Sequence, residues 1–117
     1  MVIEWDVTVP KLSGAKTRKA YIFLPEYYNE DELRRYPVLY MFDGHNMFFD
    51  DEAAFGKSWG MKEYLDDNKT QLIVVGIPCS FEGNQRMYEY SPYDFNFCNE
   101  FIEGKGYQYY LFKLWHL

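Results

Sequence analysis

The run YPVLYMFDGHNMFFDD, Tyr36 to Asp51, constrains this chain more than any other stretch. Its first part, Tyr36–Phe42, is apolar nearly throughout, as a strand buried on both faces of a parallel sheet should be. The apolar core of that strand, Val38–Phe42, stops at Asp43-Gly44 and opens into a polar and aromatic loop. In parallel sheets, ligands and chemistry collect outside the C-terminal ends of strands. Gly44, His45 and Asn46 therefore stand where a site would be built.

The rest of the chain supplies partners for that strand. Val2–Val9 places Ile3, Trp5, Val7 and Val9 in alternation, the pattern of a half-buried strand. Thr17–Leu24 reads as a second strand, stopped by Pro25, so a two-strand antiparallel start is expected. Glu26–Arg35 is polar and reads as surface loop or a single helical turn. Trp59–Asp67 fits a helix with Met61, Tyr64 and Leu65 on one face. Leu72–Ile77, LIVVGI, is the clearest strand and should be central and parallel to the third. Cys79–Asn96 reads as a long polar and aromatic loop, of the kind that is usually functional. Glu100–Ile102 and Tyr107–Leu117 are expected to be helical. The stretch 107–117, YQYYLFKLWHL, is an atypical tail, apolar on nearly every face. It is therefore either buried or foreign to the fold. Strand, strand, then strand–helix–strand is the opening of an α/β fold with a mixed, mostly parallel sheet and crossover helices, here in a single domain over 1–117.

Bulk properties exclude some functions. A net charge of −6 argues against nucleic acid and against anionic membrane, because both require basic patches. No window approaches the roughly 18 apolar residues of a membrane span, and no basic leader precedes the first strand. The two cysteines, Cys79 and Cys98, form no Cys-x-x-Cys and read as a reduced pair, so a cytoplasmic protein is expected. Aromatic residues make up 21% of the chain, which first suggests large side chains thickening a small core.

Several residues invite a chemical reading that their context refuses. Gly56-Lys57-Ser58-Trp59-Gly60 is a literal G-x-S-x-G. A nucleophile elbow follows a buried strand, whereas Asp50–Phe55 is acidic and not strand-like. Ser58 reads instead as the N-cap of the following helix. Cys79 lies at a strand end without a glycine elbow and reads as a small packed residue. Asp43, His45, Asp50, Asp51 and Glu52 match neither zinc nor calcium spacing, so no metal and no cofactor is expected.

Four segments occur in a telling order: YIFLPEYY, YPVLYMFDGHNMFFD, SWGMKEYLDD and LIVVGIPCSFEGNQRMYEYSPYDF. Together they resemble the front part of the putative esterase family of α/β-hydrolases, the group that includes esterase D and enterochelin-esterase-like enzymes. The resemblance implies a truncated α/β-hydrolase fold and a serine carboxylic-ester hydrolase working on a small-molecule ester through an acyl-enzyme. It also implies that the fourth strand lies between the second and the third. The loop after the third strand would donate one backbone N–H to the oxyanion hole, from His45 or Asn46, with Gly44 permitting the tight backbone. Arg86 and Tyr90 fall in the segment that would line the substrate pocket. His45 precedes any candidate nucleophile, so the order of the triad argues against it as the base.

The pattern breaks near the end. No serine follows Ser91, and the nucleophile elbow, acid and histidine of the triad are not found. The expectation is an N-terminal fragment, inactive as given. Two other classes fit the same residues: a non-catalytic α/β protein that self-associates, and a ligand-binding α/β module. With no charge or proline inside Val38–Phe42, the third strand is expected to form an open edge, and the chain to form a homo-oligomer.

Overall fold

The computed structural model describes residues 1–104 and 106–117. The chain forms two compact units, Met1–Trp5 with Lys19–Pro78, and Asp6–Arg18 with Cys79–Leu117. Strands β1 (Val2–Thr8) and β2 (Thr17–Phe23) run through both, and a short helix α1 (Pro10–Ser13) joins them. Strands β3 (Val38–Met41) and β4 (Ile73–Gly76) complete a four-stranded sheet in the order β1-β2-β4-β3. β4 lies between the second and third strands, as the family resemblance implies. It pairs antiparallel with β2, with Tyr21 opposite Gly76, and parallel with β3, with Val38 opposite Ile73. The sheet is thus mixed, and its parallel part is the β3–β4 pair.

Helix α2 (Met61–Asp67) is the crossover between β3 and β4. Leu65 packs with Tyr21, Phe23, Met47, Phe48 and Val74 in the core of the first unit, and Met61 leans on that cluster. Tyr64, expected on the same face, is exposed. α2 begins after Gly60, which sits at φ 67° as N-cap without a side-chain bond. Ser58 is therefore not the cap: its Oγ accepts the Gly60 N–H in the turn before the helix. The central position of β4 shows in the burial of Val74 and Val75. β3 departs from expectation. It is the outer strand of the sheet, and Val38, Leu39 and Tyr40 are exposed rather than buried on both faces.

The second unit contains structure where a long loop was expected. Helix α3 (Gln85–Tyr90) interrupts it, and strands β5 (Phe95–Phe97) and β6 (Glu100–Ile102) form an antiparallel hairpin. Glu100–Ile102 is therefore strand, not helix. Cys98 and Asn99 make the two-residue turn at φ 49° and 64°, the paired left-handed conformation that suits a tight hairpin. Cys-Asn lacks the glycine that normally signals such a turn. Helix α4 (Gly106–Trp115) accounts for the apolar tail. Its buried side carries Gly106, Tyr110 and Leu114, four residues apart, while Phe112 and Trp115 are exposed.

A buried ion pair lies inside this unit. Arg18 Nη1 donates to Glu89 Oε2 at 2.9 Å and Nη2 donates to Glu89 Oε1 at 2.8 Å. Arg18 Nη2 also donates to Ser13 Oγ, and the Ser80 N–H donates to Glu89 Oε2. The fork-on-fork geometry suits Arg and would be lost with Lys. Among the described residues, no helix is long and apolar enough to cross a membrane.

Candidate functional site

The strand-end turn of the first unit is built by backbone rather than by side chains. After β3, Asp43 adopts φ 52° and ψ 45°, a left-handed conformation that Asp tolerates better than most residues. Gly44–Asn46 then form a single 3-10 turn. The Asn46 N–H donates to Asp43 O at 2.9 Å and the Met47 N–H to Gly44 O at 3.2 Å. The Gly44 N–H donates to Ile77 O at 3.1 Å, linking the end of β3 to the residue after β4.

Two glycines make that link possible. A Cβ on Gly44 would lie 2.8 Å from Gly76 C and from Ile77 N. A Cβ on Gly76 would lie 2.8 Å from Met47 Cε and 3.1 Å from Met41 O. The two backbones are in direct contact, which only glycine allows. Met47 and Phe48 are buried immediately afterwards and plug the turn into the core.

The following loop is tied back by polar contacts. Asn46 Oδ1 accepts the Ala54 N–H at 2.9 Å, and Asn46 O accepts the Trp59 N–H at 2.8 Å. Tyr21 donates its hydroxyl to Glu52 Oε2 at 2.6 Å, and Lys19 is ion-paired with the other oxygen of the same carboxylate. Burial pushes the Glu52 carboxyl up, but hydrogen bonds from Lys19 and Tyr21 outweigh it and hold Glu52 below the usual carboxylate range. Burial, and then the bond to Glu52, push the Tyr21 phenol well above its ordinary value. Asp50 accepts the Ser58 N–H at 2.8 Å, and that bond lowers its pKa.

Gly44, His45 and Asn46 thus share one turn, with Gly44 and His45 buried and Asn46 half-buried. The Asn46 side chain closes its own loop, and the Asn46 amide is spent within the turn. Arg86 and Tyr90 lie together on α3 in the second unit. The Arg86 guanidinium sits 5.1 Å over the Tyr90 ring, and Tyr90 and Tyr110 share a hydroxyl–hydroxyl hydrogen bond of 3.2 Å. Ser58 sits in an irregular segment and its amide is held by Asp50, so the strand-to-turn setting of a nucleophile elbow is absent around it. Among the described residues, no cluster of three or more His, Cys, Asp or Glu could hold a metal.

Sequence reasoning missed Gly76, Glu52 and Glu89. An isolated glycine in LIVVGI is a signal of close backbone approach, and it pointed at Gly76. No local pattern pointed at Glu52 or Glu89, whose partners are 31 and 71 residues away.

A family model described as "Putative esterase" matches residues 14–114. No curated protein and no solved structure matches the chain.

Proposed function

The chain belongs to the putative esterase family, and on that premise we propose that it carries the oxyanion side of a serine carboxylic-ester hydrolase. Attack on an ester carbonyl moves negative charge onto oxygen. A donor already aimed at that oxygen stabilises the transition state by about 3–4 kcal/mol. The observation that carries the reading is the turn at Gly44–Asn46, pinned by the Gly44 N–H to Ile77 O at the end of the parallel β3–β4 pair. A pinned turn cannot relax away from its charge, which is what preorganisation requires.

Of the two amides expected as donors, that of Asn46 is committed to Asp43 O. The proposed donor is a backbone amide of this turn, from His45 or Asn46. Arg86, exposed on α3, and Tyr90 beside it are proposed contacts for the acyl or alcohol part of the substrate. The nucleophile, the acid and the catalytic histidine are proposed to be absent from these 117 residues, and the setting to be cytoplasmic.

The test has two arms. Hydrolysis of p-nitrophenyl butyrate should not exceed background, since removing the nucleophile leaves only residual catalysis. Turnover that vanished in Ser58→Ala would overturn the reading. Amide NMR should show the His45 resonance moving as butyrate is titrated, and no such shift in the corresponding region for His45→Pro, which lacks the N–H. Shifts that bypass residues 43–47 would sink the oxyanion assignment.

A further inference from the structure

We infer that the side-chain amide of Asn46 is a further hydrogen-bond donor of the strand-end turn. Its Nδ2 binds the same carboxylic ester, or its acid product, whose oxygen a backbone amide of the turn receives. The inference rests on the oxyanion reading of this turn and adds a side-chain donor to it.

Asn46 is held at three points. Its N–H donates to Asp43 O at 2.9 Å, its main-chain O accepts the Trp59 N–H at 2.8 Å, and its Oδ1 accepts the Ala54 N–H at 2.9 Å. The third bond fixes which end of the carboxamide is which, because a backbone N–H donates to the oxygen and not to the NH2 group. The nitrogen end is therefore turned away from Ala54. Among the described residues, Nδ2 meets no protein acceptor. Asn46 is half-buried, so its unspent end is reached from solvent. Asn68 shows the other outcome: its Nδ2 donates to Tyr64 O at 2.8 Å and is spent.

The groups that Asn46 spends hold in place the one that it does not. On the strand side, the Gly44 N–H bonds Ile77 O at 3.1 Å and fixes the turn there as well. Nδ2 is joined to the turn only through Cβ and Cγ, so an oxygen received by a backbone amide of the turn lies within its reach. A carboxamide preorganised in this way stabilises charge developing on such an oxygen. Binding transfers no proton and breaks no bond, since Nδ2 keeps both of its hydrogens. The charges of the loop also favour a neutral donor. Lys19 is ion-paired with Glu52, and Lys57 lies 3.7 Å from Asp50. Those cations are matched to acids, so negative charge arriving at the turn is met by N–H groups.

The test follows the side-chain NH2 resonances of asparagine by NMR. The whole chain is titrated with butyrate and, separately, with uncharged methyl butyrate. The Asn46 pair should move together with the backbone amides of residues 43–47, and the Asn68 pair, already bonded, should stay in place. Asn46→Asp keeps an oxygen for the Ala54 N–H and removes the donor. It should leave Ala54 protected from amide exchange, yet weaken binding of methyl butyrate about tenfold. Asn46→Ala removes both functions and should also unprotect Ala54. Turn amides that move while the Asn46 NH2 stays still would overturn this inference and leave the oxyanion reading standing. Silence at both would sink the two together. Methyl butyrate bound undiminished by Asn46→Asp, with Ala54 still protected, would rule out the side-chain donor. If the variants fail to fold, the titration of the unaltered chain decides.

Discussion

The two units solve the problem of order with opposite chemistries. The first centres on apolar contacts, Tyr21, Phe23, Met47, Phe48, Leu65 and Val74, and on two glycines whose backbones touch. The second is organised around a charged pair, Arg18 and Glu89, with Glu89 wholly buried. A buried pair is weak evidence of net stability, because desolvation offsets most of its attraction. What it supplies is specificity, since Arg18, Ser13, Ser80 and Glu89 satisfy one another in a single arrangement. Apolar packing tolerates small errors of position, and a forked ion pair does not.

The largest expected effect breaks the second unit. Glu89→Ala leaves the Arg18 guanidinium buried without its carboxylate and should cost about 3–5 kcal/mol. A urea midpoint series reads this directly. Arg18→Met combined with Glu89→Leu should recover most of the loss, because it removes both charges. A cost for Glu89→Ala below about 1 kcal/mol, within the range of exposed pairs, would remove the contrast between the units.

The next effect sharpens the account of the first unit. Gly44 does not occupy the left-handed region, so its cost on substitution is steric rather than conformational. Gly44→Ala drives a methyl into Gly76 and Ile77 and should cost about 1–3 kcal/mol. The His45 amide resonance should move with it, because the turn must shift. Gly56 offers the control: it has a positive φ of 73° and open space around its Cβ. Its alanine variant should strain only its own turn and leave the His45 resonance in place.

The smallest effect concerns pH. The Glu52 carboxyl is held below its ordinary value of 4.5 by Lys19 and Tyr21. A lowered folded pKa means that its contribution is complete above about pH 4.5 and is lost as pH falls through the lower, folded value. Solvent screening limits that contribution to at most about 1 kcal/mol. Stability measured from pH 6 down to pH 3 should therefore fall less steeply in Glu52→Gln than in the unaltered chain. Equal slopes would show that the contact does not hold the loop.

The legible parts of this molecule were those decided by neighbours in sequence. LIVVGI announced a buried central strand, and VLYMFDG announced a strand with a turn at its end. The failures are as instructive. Tyr36–Phe42 is as apolar as a buried strand, yet Val38–Tyr40 are exposed, because burial of a strand depends on its place in the sheet. The hairpin at Phe95–Ile102 turns through Cys98 and Asn99, a pair without glycine in which only Asn favours the left-handed region. α3 is six residues long, too short for a hydrophobic period to declare itself.

The same division applies to the site. The sequence by itself determined the kind and order of the elements from β2 to β4 and the strand-end position of Gly44, His45 and Asn46, since strand, turn and helix there follow from local backbone preference and side-chain period. Only the tertiary structure decided that Gly44 lies against Gly76, that the Asn46 amide is committed to Asp43, and that Glu52 and Glu89 find Tyr21 and Arg18. Those contacts join residues as many as 71 positions apart. They depend on packing the whole chain, which no local pattern encodes.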